Sequence, residues 1–340
     1  GLITAICALW PNPMTDAIAR QMGHVSWNGL TQHDTIFPLF LFIAGVSFPF
    51  SLSKQRASGI SERRILFKVI RRGMTLIVLG MIYNGLFRFD FASLRVASVL
   101  GRIGLAWMFA SLLYMYCKVR TRAVLLIGYS LLMYLVVAPD APDGTDPLSV
   151  AGNIAGWVDR QWLPGTFACG SFDPEGLLST LPAIVSALFG MFTGEFLLRK
   201  RSSLSGEQIA LCMALAAVAI TVIGIIWNCW IPINKKLWSS SFTCVVTGYS
   251  LGLFALFYYL IDVRGWKRWT FFFRVIGLNS ITIYLAQRIV GFGGIANFFF
   301  GGAASHCPEA IARVISNAGY VAICWLFLYF LYRKSTFLKV

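Results

Sequence analysis

The sequence predicts an all-α fold: a polytopic membrane helix bundle of about ten transmembrane helices, the first truncated at the N-terminus. Three observations carry this. The 340 residues are 57% hydrophobic and 13% charged, with a mean hydropathy of +0.71, whereas a soluble domain carries about 25% charged residues. The apolar residues gather in runs long enough to cross a hydrocarbon core about 30 Å thick, which takes about 20 helical residues. Short clusters of Lys and Arg punctuate these runs in alternation.

Taken in order, Gly1 to Trp10 is apolar but only half a span long. It is expected to be the end of a helix that begins upstream. A polar segment, 11–34, leads into a span at 35–53 that begins around Phe37-Pro38. Full spans follow at 66–87, 97–117, 122–138, 175–198, 208–230, 238–262, 270–292 and 312–333, each an apolar run bounded by charges. The segment 139–174 holds Asp140, Asp143, Asp146, Asp159 and Asp173 with several Pro and Gly, and reads as a long loop. Gly293-Gly294 and Gly301-Gly302 flank Phe298-Phe299-Phe300 and read as a flexible re-entrant or interfacial segment. No internal repeat or linker divides residues 1–340, so a single domain is expected.

Alternating the loops sorts the charge. One face receives 20 of the 29 Lys and Arg and four of the 14 acids (+16), the other nine and ten (−1). The basic side includes Lys54 to Arg72, Lys118, Arg120 and Arg122, Arg199 to Arg201, Arg264 to Arg274, and Arg333, Lys334 and Lys339. This is the positive-inside pattern. The net charge of +15 is therefore mostly an orientation signal. With no basic polar domain, a nucleic-acid partner is not expected and the bilayer is.

Of eight cysteines, six lie in or beside spans and read as packing residues. Cys169 and Cys307 lie in outer loops, where a disulfide is an option that spacing does not decide. Three histidines and the lack of Cys-x-x-Cys or His-Glu-x-x-His speak against a metal site.

The most informative stretch is Gly23-His24-Val-Ser-Trp-Asn28-Gly-Leu-Thr-Gln-His33-Asp34, just before a span. On one reading it is a solvated loop in which Thr31 or Asp34 caps the next helix. On the other, His24 is a general base or nucleophile and Asp34 orients or charges it. Asp173 and Glu175 open another span, where acids complement the helix dipole. Asn279 and Ser280 sit inside an apolar run with Tyr284 and Gln287 beyond, a pattern equally suited to interhelical hydrogen bonds. Arg102 stands about a turn inside its span and needs a partner, for which Asp34 or Glu175 could supply the charge.

Together these motifs resemble the heparan-α-glucosaminide N-acetyltransferase family and its bacterial relatives, in the wider transmembrane acyltransferase group. The match runs in order through His24-x-Ser-Trp-Asn-Gly-Leu-Thr-x-x-Asp34-x-x-Phe-Pro38, Asp173-Pro-Glu-Gly-Leu-Leu-Ser-Thr180, Ile233-Asn-Lys-Lys-Leu-Trp-Ser239, Leu278-Asn-Ser-Ile281 and Leu331-Tyr-Arg-Lys334. The resemblance implies transfer of an acetyl group from cytosolic acetyl-CoA, as co-substrate and without a metal, to the amino group of a glucosamine-type sugar or envelope glycan. It implies His24 and Asp34 as catalytic residues, His24 as acetyl carrier or general base. Asn12, Asn28, Arg102, Asp173, Glu175, Asn279, Ser280 and Gln287 would line the cavity. A bacterial inner-membrane location follows, with His24 on the periplasmic side and a homodimer as one mode of assembly. Two positions depart from the family pattern: Gln287 where lysosomal members carry His, and Gly101 where Gln commonly precedes the arginine. Relatives labelled amino-sugar transporters supply the alternative function.

Overall fold

The computed structural model describes residues 1–338, without the side chains of 119–123; Arg120, Arg122 and Lys339, counted in the charge sorting, thus lie outside the description. Among the described residues there is no β-strand, only two isolated bridges, Arg95 to Gly165 and Val137 to Asn153. The helices are α1 (Leu2–Cys7), α2 (Pro13–Gln21), α3 (Ile36–Ala57), α4 (Glu62–Tyr83), α5 (Val99–Tyr116), α6 (Val119–Leu135), α7 (Ile154–Trp162), α8 (Thr180–Lys200), α9 (Gly206–Trp227), α10 (Ser240–Phe257), α11 (Thr270–Leu278), α12 (Ser280–Ile289), α13 (Phe292–Ser305) and α14 (Glu309–Arg333). They form two compact units, one of Val25–Leu30 and Asp34–Arg264, the other of Gly1–His24, Thr31–His33 and Gly265–Val340.

The larger unit is built on α3 and α8. Apolar helices associate in lipid through close van der Waals packing, which small residues permit. Here Gly45 faces the carbonyl of Ala187 and Gly190 faces that of Phe42, so closely that a Cβ at either position would overlap the opposing oxygen. Around this contact, Leu41, Phe48, Trp107, Leu188, Met191, Trp238 and Phe242 form a buried core shared by α3, α5, α8 and the start of α10. Helix α9 packs on α10, with Gly224 against Val245. Its other side, including Leu211, Leu215 and Val218, is exposed, as a bilayer-facing stripe requires.

The smaller unit packs α11 and α13 on α14. Phe272 stacks on Trp325 at 5.5 Å, Phe292 meets Phe327 at 5.4 Å, and Gly319 leaves room for the ring of Phe300. Phe292–Ser305 is thus helix α13, anchored by Phe292 and Phe300, and its 78° bend from α12 makes the pair a broken span or the expected re-entrant segment.

Among the described residues six helices are long and apolar enough to cross a membrane, starting at Gln32, Val99, Thr180, Gly206, Ser240 and Glu309; α12 and α13, bent by 78°, make a seventh if they form one span. The expected ten included four runs that differ in kind. Residues 66–87 correspond to α4, which carries Arg63, Arg64, Lys68, Arg71 and Arg72. Among the described residues the apolar part of α6 is Val124–Leu135. The run 270–292 is broken at Asn279 into α11 and α12, and α1 has six residues. Two short helices, α2 and α7, occupy segments expected to be loops. The protein is an integral membrane protein.

Candidate functional site

In the larger unit the predicted polar residues converge through loops. Asn153 starts α7, accepting from the Gly156 amide at 2.6 Å while its own amide donates to Ser149 and Val150 carbonyls at 3.0 and 2.7 Å. This sets Asp159 on a buried face of α7, at 2% exposure. Its carboxylate accepts the backbone N–H groups of Leu177 at 2.9 Å and Asp173 at 3.3 Å. Burial pushes the Asp159 carboxyl up to about 6 against the opposing pull of those two amides.

Asp173 is likewise buried. Arg95 holds it by two parallel bonds, Nε to Oδ2 at 2.7 Å and Nη2 to Oδ1 at 2.6 Å, and Nη2 also pairs with Glu175. The amides of Ala168 and Glu175 add bonds at 3.1 and 2.9 Å. Burial works against the charge on Asp173, but Arg95 and the amides overcome it and hold the carboxyl below its ordinary value. The Arg95 guanidinium is correspondingly pushed up, chiefly by Asp173.

Arg102, 2% exposed on α5, donates to Ser179 Oγ and to the Gly176 carbonyl at 3.4 Å. Its guanidinium lies over the Trp238 ring at 5.1 Å, a cation–π geometry. Neither Asp34 nor Glu175 is its hydrogen-bonded partner, but Glu175 acts on it through its charge, one of the two acids that the sequence offered for that role. Glu175 goes to Arg95, and Asp34 accepts from Lys235 Nζ at 3.1 Å. Asp34 lies in a 3-10 turn, Gln32–Thr35, and α3 begins after Thr35 with no side-chain cap, so the capping reading is not realised.

The 231–239 segment joins these groups. Asn234 Nδ2 donates to Asn28 Oδ1 at 3.1 Å, and the Gly29 amide donates to the Ile233 carbonyl at 2.8 Å. Trp238 is fully buried at φ 53°, with Phe37 and Phe242 edge-on to its ring and Nε1 donating to Ser186 at 3.2 Å. Asn28, Asp34, Arg102, Asp173 and Glu175 therefore belong to one connected polar layer. Arg95, Asp159, Lys235 and Trp238 complete it. Lys235 and Trp238 lie in a motif quoted above; Arg95 and Asp159 were signalled only as charges in loops.

In the smaller unit, the His24 ring meets the His33 ring at 4.5 Å and 61°. The turn between them is fixed by Thr31 Oγ1 donating to the Gly23 carbonyl at 2.6 Å and the Gln32 amide donating to Gln21 Oε1 at 3.0 Å. Asn12 caps α2, accepting from Met14 and Thr15 amides at 2.9 and 3.1 Å, which is a structural role. Asn279 is 2% exposed at the α11–α12 break. Its oxygen accepts from Thr282 Oγ1 at 3.2 Å, while its Nδ2 has no partner among the described residues. Ser280 opens α12, and Gln287 bonds to Cys324. All eight cysteines are free thiols, so the Cys169–Cys307 disulfide is not formed. No group of three or more His, Cys, Asp or Glu is arranged to hold a metal among the described residues.

No protein-family model matches the chain. Two proteins named heparan-alpha-glucosaminide N-acetyltransferase do, from Mus musculus over 379 aligned positions and from Homo sapiens over 378, each at 27% identity and covering 93% of this chain. The chain spans about half the length of these relatives, 56% and 55% respectively. Across nearly its whole length, the chain is thus a distant relative of the heparan-alpha-glucosaminide N-acetyltransferases.

Proposed function

We propose that the chain is a single transmembrane acyltransferase domain that moves an acetyl group from cytosolic acetyl-CoA to the amino group of a glucosamine-type sugar on the outer face. The observation that carries this is the similarity to two N-acetyltransferases over 93% of the chain. In this reading the inner membrane is bacterial, His24 is periplasmic, and the acceptor is a free amino sugar or an envelope glycan.

His24 takes the proton from the acceptor ammonium as general base. The freed amine attacks the thioester carbonyl and the C–N bond forms; the C–S bond breaks, the thiolate leaves with the proton returned from the imidazolium, and the new amide nitrogen gives up its second proton to water. As an acetyl carrier, His24 would form the acyl bond itself and pass it on. His33, against the His24 ring, limits how that ring turns. Asp34, buried and paired with Lys235, is the second residue assigned to the chemistry. Within the smaller unit Asn279, Ser280 and Gln287 serve as hydrogen-bonding groups, within the larger Asn28 does so with Arg102 as a fixed donor, and Asn12 contributes by capping α2. Asp173 and Glu175 add negative charge on the acceptor side, and of the two Glu175 keeps the exposure to meet the ammonium. On α4, Arg63, Arg64 and Lys68 are exposed and suit the phosphates of the nucleotide.

The test is transfer across a sealed membrane. Proteoliposomes given labelled acetyl-CoA on the side of the basic loops and glucosamine on the other should accumulate N-acetylglucosamine on the glucosamine side. Product that forms only when both substrates share a side would overturn the transmembrane reading.

A second reading, an amino-sugar transporter, draws on the α11–α12 break and the 78° bend between α12 and α13, since broken helices are frequent in transporters. Uptake of labelled N-acetylglucosamine without acetyl-CoA would favour it.

A further inference from the structure

Asp159 has no part in the chemistry above, yet it is among the most buried acids of the larger unit. Both its oxygens are engaged by backbone amides at either end of one turn, those of Asp173 and Leu177. Between them lies Gly176, directly over the carboxylate: a Cβ there would overlap both Asp159 oxygens, so the close approach demands glycine. The same turn carries Asp173 and Glu175. Asp173 is consumed by Arg95 and two amides and its side chain is 0% exposed, whereas the Glu175 side chain keeps 12%. Glu175 is the carboxylate of the pair that can meet a ligand, and Asp159 fixes the turn from which it projects.

We infer that Asp159 is a positioning residue for the acceptor. It clamps the 173–177 turn so that Glu175 faces the acceptor ammonium, without itself touching the sugar. This rests on the amino-sugar acetyltransfer reading. The charged groups acting on Asp159 are Asp173 and Arg102, with Tyr129 of α6 also nearby, while its neighbour Arg160 is turned away to Asp140 at 2.9 and 2.7 Å. An ionised Asp159 accepts from both amides. A protonated one places a hydrogen on one oxygen and gives up one of the two bonds, so the clamp loosens as the carboxyl, poised at about 6, takes a proton.

The test compares the full chain with Asp159→Asn, measuring steady-state acetylation of glucosamine between pH 5 and 8 and amide hydrogen exchange along the chain. In the variant, exchange in 168–178 should quicken about tenfold, as loss of one buried hydrogen bond implies, with other segments unchanged. The KM for glucosamine should rise about tenfold while kcat stays within about threefold. Wild-type KM should rise as pH falls through about 6, and the variant's should not. Gly176→Ala, which pushes a methyl into the same contact, should reproduce the exchange pattern. Unchanged exchange in 168–178, an unchanged KM, or quickened exchange throughout the chain would overturn the assignment. If the wild-type chain does not acetylate glucosamine, the acetyltransfer reading falls and the role of Asp159 toward the acceptor with it; exchange then decides only whether Asp159 clamps the turn.

Discussion

Arg95 grips Asp173 through two parallel hydrogen bonds, 2.7 and 2.6 Å long, across 78 residues of sequence. The pair ties the segment before α5 to the turn before α8. Bidentate guanidinium–carboxylate bonds fix geometry as well as charge, and a third bond from the same guanidinium sets Glu175 beside Asp173.

Removing the cation should therefore be costly. Breaking a buried pair costs about 3–5 kcal/mol, and since Arg95 keeps 26% exposure the loss for Arg95→Ala is expected at about 2–3 kcal/mol. Thermal unfolding of the detergent-solubilised protein measures it. A change below about 0.5 kcal/mol would show that water replaces the guanidinium without penalty.

Trp238 joins the polar layer to the apolar core, with Arg102 on its face and Phe37 and Phe242 at its edges. Trp238→Ala should destabilise by about 3–5 kcal/mol through the cavity it leaves, and Trp238→Phe by less. The same unfolding assay separates the two. Equal losses would mean that the Nε1–Ser186 bond, rather than ring volume, carries the effect.

Asp159 gives stability a pH signature. Its carboxyl is near 6 when folded against an ordinary 3.8, so folding favours the protonated form. The stability it contributes is full below about 4 and is lost as pH rises through about 6. Asp173 acts in the opposite sense: held below its ordinary value, it contributes at neutral pH and the contribution is lost as pH falls through its folded value. The stability of wild type relative to Asp159→Asn should thus fall by about 2 kcal/mol between pH 4 and 7, read from paired melting curves. A flat difference would contradict the burial of an ionised Asp159.

Asn279 separates stability from activity. Its buried Nδ2 lacks a partner among the described residues, and an unsatisfied buried donor is a liability. Asn279→Ala should leave the melting temperature nearly unchanged, within about 1 kcal/mol, while acetyl transfer falls about tenfold or more. A large drop in stability with normal turnover would make Asn279 a purely structural residue.

Much of this fold was legible from hydropathy. Helices α3, α5, α8, α9, α10 and α14 follow their apolar runs to within a few residues. What hydropathy hides is interruption and long-range pairing. The run 270–292 is apolar enough to read as one span despite Arg274, Asn279, Ser280, Gln287 and Arg288, so hydropathy does not show the break at Asn279. In α4 the cations gather in the first half, up to Arg72, and leave only 73–83 free of charge, too short an apolar stretch to count as a span by length and composition. The glycines around 293–302 suggested flexibility, but Phe300 packing on Gly319 decides in favour of a helix. In the candidate site, motif residues such as Asp34, Asp173 and Glu175 could be named in advance. Their partners Lys235 and Arg95 could not be assigned, because ion pairs made over 201 and 78 residues follow from topology rather than local pattern.

That His24 carries the transfer is tested by turnover of His24→Ala with labelled acetyl-CoA and glucosamine, beside a melting curve of the same preparation. General acid–base steps contribute about a hundredfold to ten-thousandfold, so N-acetylglucosamine formation should fall at least about a hundredfold while the melting temperature holds. Turnover by His24→Ala within about twofold of wild type would contradict the claim.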